Sequence, residues 1–239
     1  MSDFRVLRFA IIVCLGCSVV LSAAAIGLRD RQQANLILDQ RRNILKSVGL
    51  FQPEMAEEEL NATYNERMVG LVVRADGSVV EGRNPTELDP EQEPDLLPVY
   101  QRVDDGEVAA YTIPVSGKGL WSTLYGYFAL DADLNTVRGI TFYQHGETPG
   151  LGGEIDKPWF QENFVGKKIL DDAGNLRSIT VVKGTAADRY PDPDELVHYV
   201  DGISGATITS NGVTALLEAE LTRYRPYFET LRNGMGRTT

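Results

Sequence analysis

Asp201-Gly202-Ile203-Ser204-Gly205-Ala206-Thr207-Ile208-Thr209-Ser210-Asn211-Gly212 is the stretch around which this 239-residue chain is organised. Small residues dominate it, and Ser204, Thr207, Thr209 and Ser210 bring four hydroxyls into seven positions. Val213, Leu216, Leu217 and Leu221 come next at the spacing of one helix face, so a small-residue turn opening a helix is expected. Amides at a helix start lack intrahelical partners and the dipole is positive there, which welcomes an anion such as a phosphate. An ordinary cap built from Ser, Thr, Asn and Gly reads the same way, and composition does not separate the two.

Working outward, the next motif is His145-Gly146-Glu147-Thr148-Pro149-Gly150-Leu151-Gly152-Gly153-Glu154. Pro-Gly punctuates a turn, and the glycines let a backbone approach something flat or anionic closely; a plain connection from strand to helix is the alternative.

The remaining pattern before the final helix is mostly β. Met68–Glu81 reads as two strands around Asp76-Gly77, a strong hairpin signal. Tyr111–Val115 is a strand, and a second runs from Trp121 to Leu130 after Gly117-Lys118-Gly119. Trp121, Thr123, Tyr125 and Tyr127 then share one face and Leu120, Leu124 and Phe128 the other, which suits a strand packed between two layers. Val137–Tyr143 and Ile179–Lys183 are further strands, and Trp159–Val165 is a short helix after Pro158. Asn84–Pro98, acidic and rich in proline, and the polar Thr185–Asp194 read as loops. The final helix is expected to break near Pro226 and to end in a Gly-rich tail from Asn233. The fold class is α+β with a mixed or antiparallel sheet.

At the other end, Phe9–Leu28 (FAIIVCLGCSVVLSAAAIGL) is uncharged over 20 residues, enough at about 1.5 Å per residue to span a hydrocarbon core of roughly 30 Å. A cleaved signal peptide ending near Ser22-Ala23-Ala24-Ala25, or lipoprotein processing before Cys17, competes with a retained anchor. The segment is long and runs unbroken into Arg29–Val48, a charged amphipathic helix with Leu36, Ile37, Ile44, Leu45 and Val48 as its apolar stripe and Gly49 as its stop, so an anchor leading into a stalk or partner interface is expected. Arg29, Arg31, Arg41 and Arg42 after the span outnumber Arg5 and Arg8 before it, a bias that opposes export of the C-terminal portion.

The formal net charge is -11, and residues 1–31 contribute +2, leaving -13 on the remainder. That field repels polyanions and argues against nucleic acid as a partner. Both cysteines, Cys14 and Cys17, lie in the apolar segment one turn apart, as small packing residues or as a metal or partner contact. The part beyond has only His145 and His198 and no thiol, which disfavours a metal centre and leaves an organic cofactor as the carrier if it moves electrons. No G-x-G-x-x-G opens a βαβ unit, so no NADH site is expected.

Asp201-Gly202-Ile203-Ser204-Gly205-Ala206-Thr207 resembles the covalent flavinylation motif of FMN-binding subunits in ion-pumping redox complexes, and Glu147-Thr148-Pro149-Gly150-Leu151-Gly152 resembles the second hallmark of that family. Ser22–Asp30, Gly119-Leu120-Trp121-Ser122, the doubled glycine before Glu154 and Val182-Lys183-Gly184 are similar to the C subunit of sodium-translocating NADH:quinone oxidoreductases. The G subunit of the related ferredoxin:NAD complexes shares both motifs, but Ala23–Asp30 and Leu151–Glu154 favour the C subunit. Residues 52–66, 84–107 and 185–199 carry no resemblance.

The resemblance implies an electron-relay subunit with FMN esterified through its phosphate to Thr207 by a flavin transferase, in a six-subunit pump of the bacterial inner membrane. NADH oxidation and quinone reduction fall to other subunits, and no complete active site is expected on this chain. It implies a cytoplasmic 1–8, a transmembrane helix 9–28, a helical stalk 29–50 and a periplasmic FMN-binding domain 51–239; the outward placement comes from the family, not from the charge bias. Around the flavin, Ser204, Thr209 and first-turn amides are assigned to the phosphate. Leu151 and Trp121 are assigned to the ring wall, with plain core as the competing role for Trp121, and Glu147, Thr148 and Gly150 to the ring edge. Lys183 balances negative charge or is a solvated surface lysine. Gly205 and Ala206 complete the flavinylation motif, while Asp201 is a turn former or a contact for the attaching enzyme, through Mg²⁺. His145 is expected in a loop and His198 on the surface. The reading of another class is an anchored binding or assembly domain without cofactor; a hydrolase is weaker, for lack of a recognisable base.

Overall fold

Apolar alternation from residue 68 to 144 builds one six-stranded antiparallel sheet. Its strands are Met68–Arg74 (β1), Val79–Val80 (β2), Leu96–Asp104 (β3), Glu107–Lys118 (β4), Thr123–Asp131 (β5) and Val137–Gln144 (β6), in the order β2-β1-β3-β4-β5-β6. The structure is a computed structural model and describes residues 2–89 and 92–235. The chain divides into two compact units, Met1–Gln40 and Arg41–Thr239. The first carries Phe4–Arg29, helical, with a mean hydropathy of 2.6 and long and apolar enough to cross a membrane. The sheet belongs to the second, which begins earlier than the expected residue 51 because Ile44, Leu45 and Val48 are fully buried in it.

Because side chains alternate along a strand, each sheet face needs its own cover. Val99 of β3, Tyr111, Ile113 and Val115 of β4, and Leu124, Phe128 and Leu130 of β5 share a core with Val213, Leu216, Leu217, Leu221, Tyr224 and Phe228 of the final helix, Thr207–Met235 (α6). The opposite face buries Val72, Tyr100, Thr112 and Tyr127. There the end of the first helix, Ser2–Ser47 (α1), lies against the sheet: Ser47 Oγ is 3.3 Å from Thr112 Oγ1, and Arg102 donates to the Val48 carbonyl at 3.0 Å. Burying Ile44, Leu45 and Val48 stabilises the unit by on the order of 1.5–3 kcal/mol each. Gly49 ends α1 as expected, with Leu50 N–H bonded to the Leu45 carbonyl at 2.9 Å.

Several expectations need correction. Residues 52–66, for which the sequence carried neither a resemblance nor a structural expectation, lead into a helix, Glu57–Arg67 (α2), whose Leu60 is buried. The expected loop 84–98 begins with a 3₁₀ turn, Pro85–Glu87, because the Asn84 side chain caps Thr86 N–H at 3.0 Å, and its last residues enter β3. The helix after Pro158 is shorter than expected, Pro158–Glu162 (α3). Of the expected Ile179–Lys183 strand, Thr180–Val181 (β7) forms the ladder, pairing in parallel with Tyr199–Val200 (β8). The polar loop 185–194 folds into Ala186–Arg189 (α4) and the start of Pro193–Leu196 (α5).

Pro226 does not interrupt α6. It removes one backbone donor, but Tyr224, Tyr227 and Phe228 are buried on both sides of it, and this packing outweighs the local cost. The tail expected from Asn233 is helical to Met235, and its remainder lies outside the described residues. The Asp76-Gly77 turn joins β1 to β2 as read and rests on Pro226: a Cβ at Gly77 would meet the Pro226 carbonyl carbon at 2.6 Å, and its φ is +87°.

Gly77→Ala therefore strains the turn and pushes it off α6 together. The full chain in detergent should lose about 2 kcal/mol of stability in urea unfolding; an unchanged midpoint would show that the turn and Pro226 are not packed.

Candidate functional site

Three segments meet at one carboxylate. Glu147 lies just past β6 and is only 5% exposed. Its Oε1 accepts from Trp121 N–H at 2.9 Å and, more weakly, from Ser122 N–H at 3.4 Å. Its Oε2 accepts from Leu120 N–H at 3.2 Å and from Thr209 Oγ1–H at 2.6 Å. The β4–β5 connection, the loop after β6 and the first turn of α6 are thereby joined. Burial acts first, to raise the Glu147 pKa, but the Thr209 hydroxyl and the Trp121, Leu120 and Ser122 amides together outweigh it and hold the carboxyl below the usual glutamate range.

Glycine makes the meeting possible. A Cβ at Gly119 would lie 2.6 Å from Glu147 Oε1, and one at Gly152 would lie 2.5 Å from Thr209 Oγ1 and 2.8 Å from Glu147 Oε2. Ser122 adds a second tie, its Oγ accepting from Gly146 N–H at 2.6 Å. His145 completes the loop, with Nδ1 accepting from Glu147 N–H at 3.2 Å and Nε2 3.6 Å from Asp156 Oδ2.

Trp121 is not in a strand. Gly119 N–H closes a turn on the Ser122 carbonyl at 2.8 Å, and the amides of 120–122 face Glu147 instead of a neighbouring strand, so β5 begins at Thr123 and Trp121 stands 71% exposed. This also excludes plain core as its role. Leu120, Leu151 (43% exposed) and Ile208 (57%) are exposed as well. Thr207, the first residue of α6, is exposed, as are Ser204, Gly205, Thr148, Gly150 and Lys183. The first α-helical backbone bond of this end runs from Ser210 N–H to the Ala206 carbonyl at 2.9 Å, which leaves the amides of Thr207, Ile208 and Thr209 ahead of the ladder. An exposed hydroxyl on a helix start, with Ile208 next to it in the chain and Leu151 close enough to Gly205 that a Cβ there would meet its Cδ2 at 2.8 Å, fits a flat ring carrying a phosphate.

Thr209, assigned to phosphate contact, is 1% exposed with its hydroxyl on Glu147; its amide still belongs to the first turn. Glu147, assigned to the ring edge, has its acceptors turned to protein donors. Asp201 is half-buried and accepts from Ala186 N–H at 2.7 Å. Ala206 is buried. His198 is buried, not on the surface, with Nδ1 2.7 Å from the Lys168 carbonyl. Ile208 escaped the sequence reading although a signal existed: it falls off the stripe that Val213, Leu216 and Leu217 define. Ser122 lay in the Gly119–Ser122 run that resembles the family, but nothing local pointed to its tie to Gly146.

Residues 119–222 match the FMN-binding domain family. The chain is 39% identical to the C subunit of the Na(+)-translocating NADH-quinone reductase of Pseudomonas aeruginosa over 98% of its own length and 97% of that protein, and 36% identical to the Yersinia pestis C subunit over 96% and 93%. It belongs to the family of C subunits of Na(+)-translocating NADH-quinone reductases. The crystal structure of the C subunit from Parabacteroides distasonis superposes with a TM-score of 0.72 at 37% identity, covering 84% of this chain and 96% of that one. The Shewanella oneidensis NqrC structure gives 0.71 at 28% identity, over 82% and 97%. The expected family membership and the α+β FMN-binding domain with one N-terminal apolar helix are what is found.

In this member of the family the Glu147 network makes a pH-dependent contribution of known sign. The carboxyl's folded pKa lies below its unfolded value of about 4.3, so its stabilisation is complete above that value and is lost as the pH falls through the folded one. Glu147→Gln should lower the stability of the full chain at pH 7 by about 2–4 kcal/mol. The gap should narrow as the pH drops below about 4 in thermal unfolding. A gap that widens in acid would contradict the network.

Proposed function

We propose that this protein carries FMN as a phosphoester on Thr207 and relays electrons within a six-subunit sodium-pumping NADH:quinone oxidoreductase. The carrying observation is the exposed Thr207 at the start of α6, two residues from Gly205, where a Cβ would meet Leu151 Cδ2 at 2.8 Å. The exposed Trp121 is held to the same helix turn by the Glu147–Thr209 network, which needs no ligand to complete it. Family membership supports the reading: the related chains bear the name of a Na(+)-translocating NADH-quinone reductase.

The residues divide by what they touch. Thr207 Oγ forms the new bond to phosphorus, the anhydride bond of an activated FMN donor on the transferase breaks, and the hydroxyl proton passes to a base of that enzyme. Ser204 and the amides of Thr207, Ile208 and Thr209 hold the phosphate. Leu151 and Trp121 form the apolar wall, joined by Leu120 and Ile208, with Thr148 and Gly150 at the polar edge and Lys183 as a nearby cation. Glu147 and Thr209 act behind the surface as positioning residues, keeping the wall and the helix start in one frame. When bound, FMN supplies one-electron transfer chemistry. A covalent tether keeps it from dissociating outside the cytoplasm.

The proposed placement is a cytoplasmic 1–8, a bacterial inner-membrane span over 9–28, a stalk over 29–40 and a periplasmic domain that begins at Arg41, ten residues before the 51 expected from the sequence. The apolar Phe4–Arg29 helix supports anchoring. Partner subunits of the reductase carry the NADH and quinone sites.

Co-expressed with a flavin transferase, the wild-type chain should keep a yellow fluorescent flavin on a denaturing gel, and Thr207→Ala should lose it entirely while still folding. Fluorescence retained by Thr207→Ala would move the attachment elsewhere. A colourless wild type with active transferase would leave an anchored binding or assembly domain.

A further inference from the structure

Asp201 opens the flavinylation motif, where a carboxylate beside a phosphate would be unfavourable. In the fold it belongs to a different contact. Asp201 Oδ1 accepts from the N–H of Ala186, the first residue of α4, at 2.7 Å. Gly202 N–H donates to the Gly184 carbonyl at 2.9 Å, and a Cβ on Gly202 would stand 2.0 Å from the Val182 oxygen and 3.4 Å from Lys183 Cα. Thr180 N–H bonds the His198 carbonyl at 2.9 Å and Val182 N–H the Val200 carbonyl at 3.0 Å. A continuous zipper thus joins residues 180–186 to residues 198–202, and Asp201 closes its last tooth.

The charge of Asp201 also has a protein neighbour. Burial pushes the Lys167 amine down and the Asp201 carboxylate draws it up, while its Nζ donates to the Leu196 carbonyl at 2.9 Å. Beyond the zipper the motif changes character. Ile203 and Ala206 are buried in the core, whereas Ser204, Gly205 and Thr207 are exposed.

We infer that the motif is split in function: Asp201-Gly202 is a clasp that fixes the 182–186 turn, and Ser204, Gly205 and Thr207, with Ala206 anchored in the core between them, are the part presented to the transferase. Asp201 is a positioning residue that works through its hydrogen bond to Ala186 N–H, not through a charge offered to the transferase or to a metal ion. This rests on attachment at Thr207.

The test is the initial rate of flavin attachment to the full chain in detergent, by a transferase saturated with its flavin donor, as a function of acceptor-chain concentration. Asp201→Asn keeps an oxygen that accepts from Ala186 N–H and should attach flavin within about twofold of wild type. Asp201→Ala should lose about tenfold in kcat with little change in KM for the chain. Ala186→Pro removes the donor while leaving Asp201 intact, and proline suits the first position of a helix, so it should match Asp201→Ala. Asp201→Asn as slow as Asp201→Ala, with Ala186→Pro at the wild-type rate, would overturn the clasp and assign the charge to the transferase or to Mg²⁺. A wild type that takes no flavin would instead refute attachment itself.

Discussion

The site depends on a buried anion that has every reason to be costly and is not. A carboxylate taken out of water loses hydration worth several kcal/mol, and Glu147 recovers it from the Thr209 hydroxyl and the amides of Leu120, Trp121 and Ser122. These donors come from two segments distant in sequence, so satisfying the charge also fixes their separation. The absence of side chains at Gly119 and Gly152 is what lets the segments close to that distance. Thr207 and Leu151 each lie near a group in this network along the chain, and neither takes part in it. That division leaves their surfaces open for a ligand and their backbones held.

Around this point the fold supplies rigidity from both sheet faces. α6 lies along β4 and is tied at its far end by Tyr224, whose hydroxyl donates to the Pro98 carbonyl at 2.9 Å, and by the Gly77 turn against Pro226. The last turns of α1 cover the other face through Ile44, Leu45 and Val48. Arg102 holds the chain where it leaves α1 by donating to the Val48 carbonyl, and it also pairs with Asp104, whose pKa is lowered to about 2 first by Arg102 and further by Arg67 despite burial. The residues from Arg41 to Val48 are therefore part of the folded domain and not a free linker.

The features legible in the sequence were those with a local cause. The Asp76-Gly77 hairpin, the existence of the β4, β5 and β6 strands, the helix start at Thr207 and the stop at Gly49 each arise from neighbours in the chain. Failures came where distant contacts decide. Pro226 reads as a helix break until Tyr224, Tyr227 and Phe228 are seen buried on one core. Trp121 reads as a strand residue until its amide is seen bonded to Glu147, 26 positions away. Glu147 itself was legible as important by motif, but its role was not: a glutamate in a Gly-rich loop suggests a ligand contact, and only the four protein donors show a charge consumed internally. His198 reads as exposed by residue type, while the Lys168 carbonyl holds it inside.

The central claim, that Glu147 builds the platform before any cofactor arrives, is tested most directly by hydrogen exchange at the Leu120 and Trp121 amides in chain produced without flavin transferase. Both lie in a connection between strands, where unprotected amides exchange fast. The network predicts protection of these two amides in the flavin-free chain, lost in Glu147→Gln while the β4 and β5 amides stay protected. Fast exchange at both until flavin is attached would contradict it.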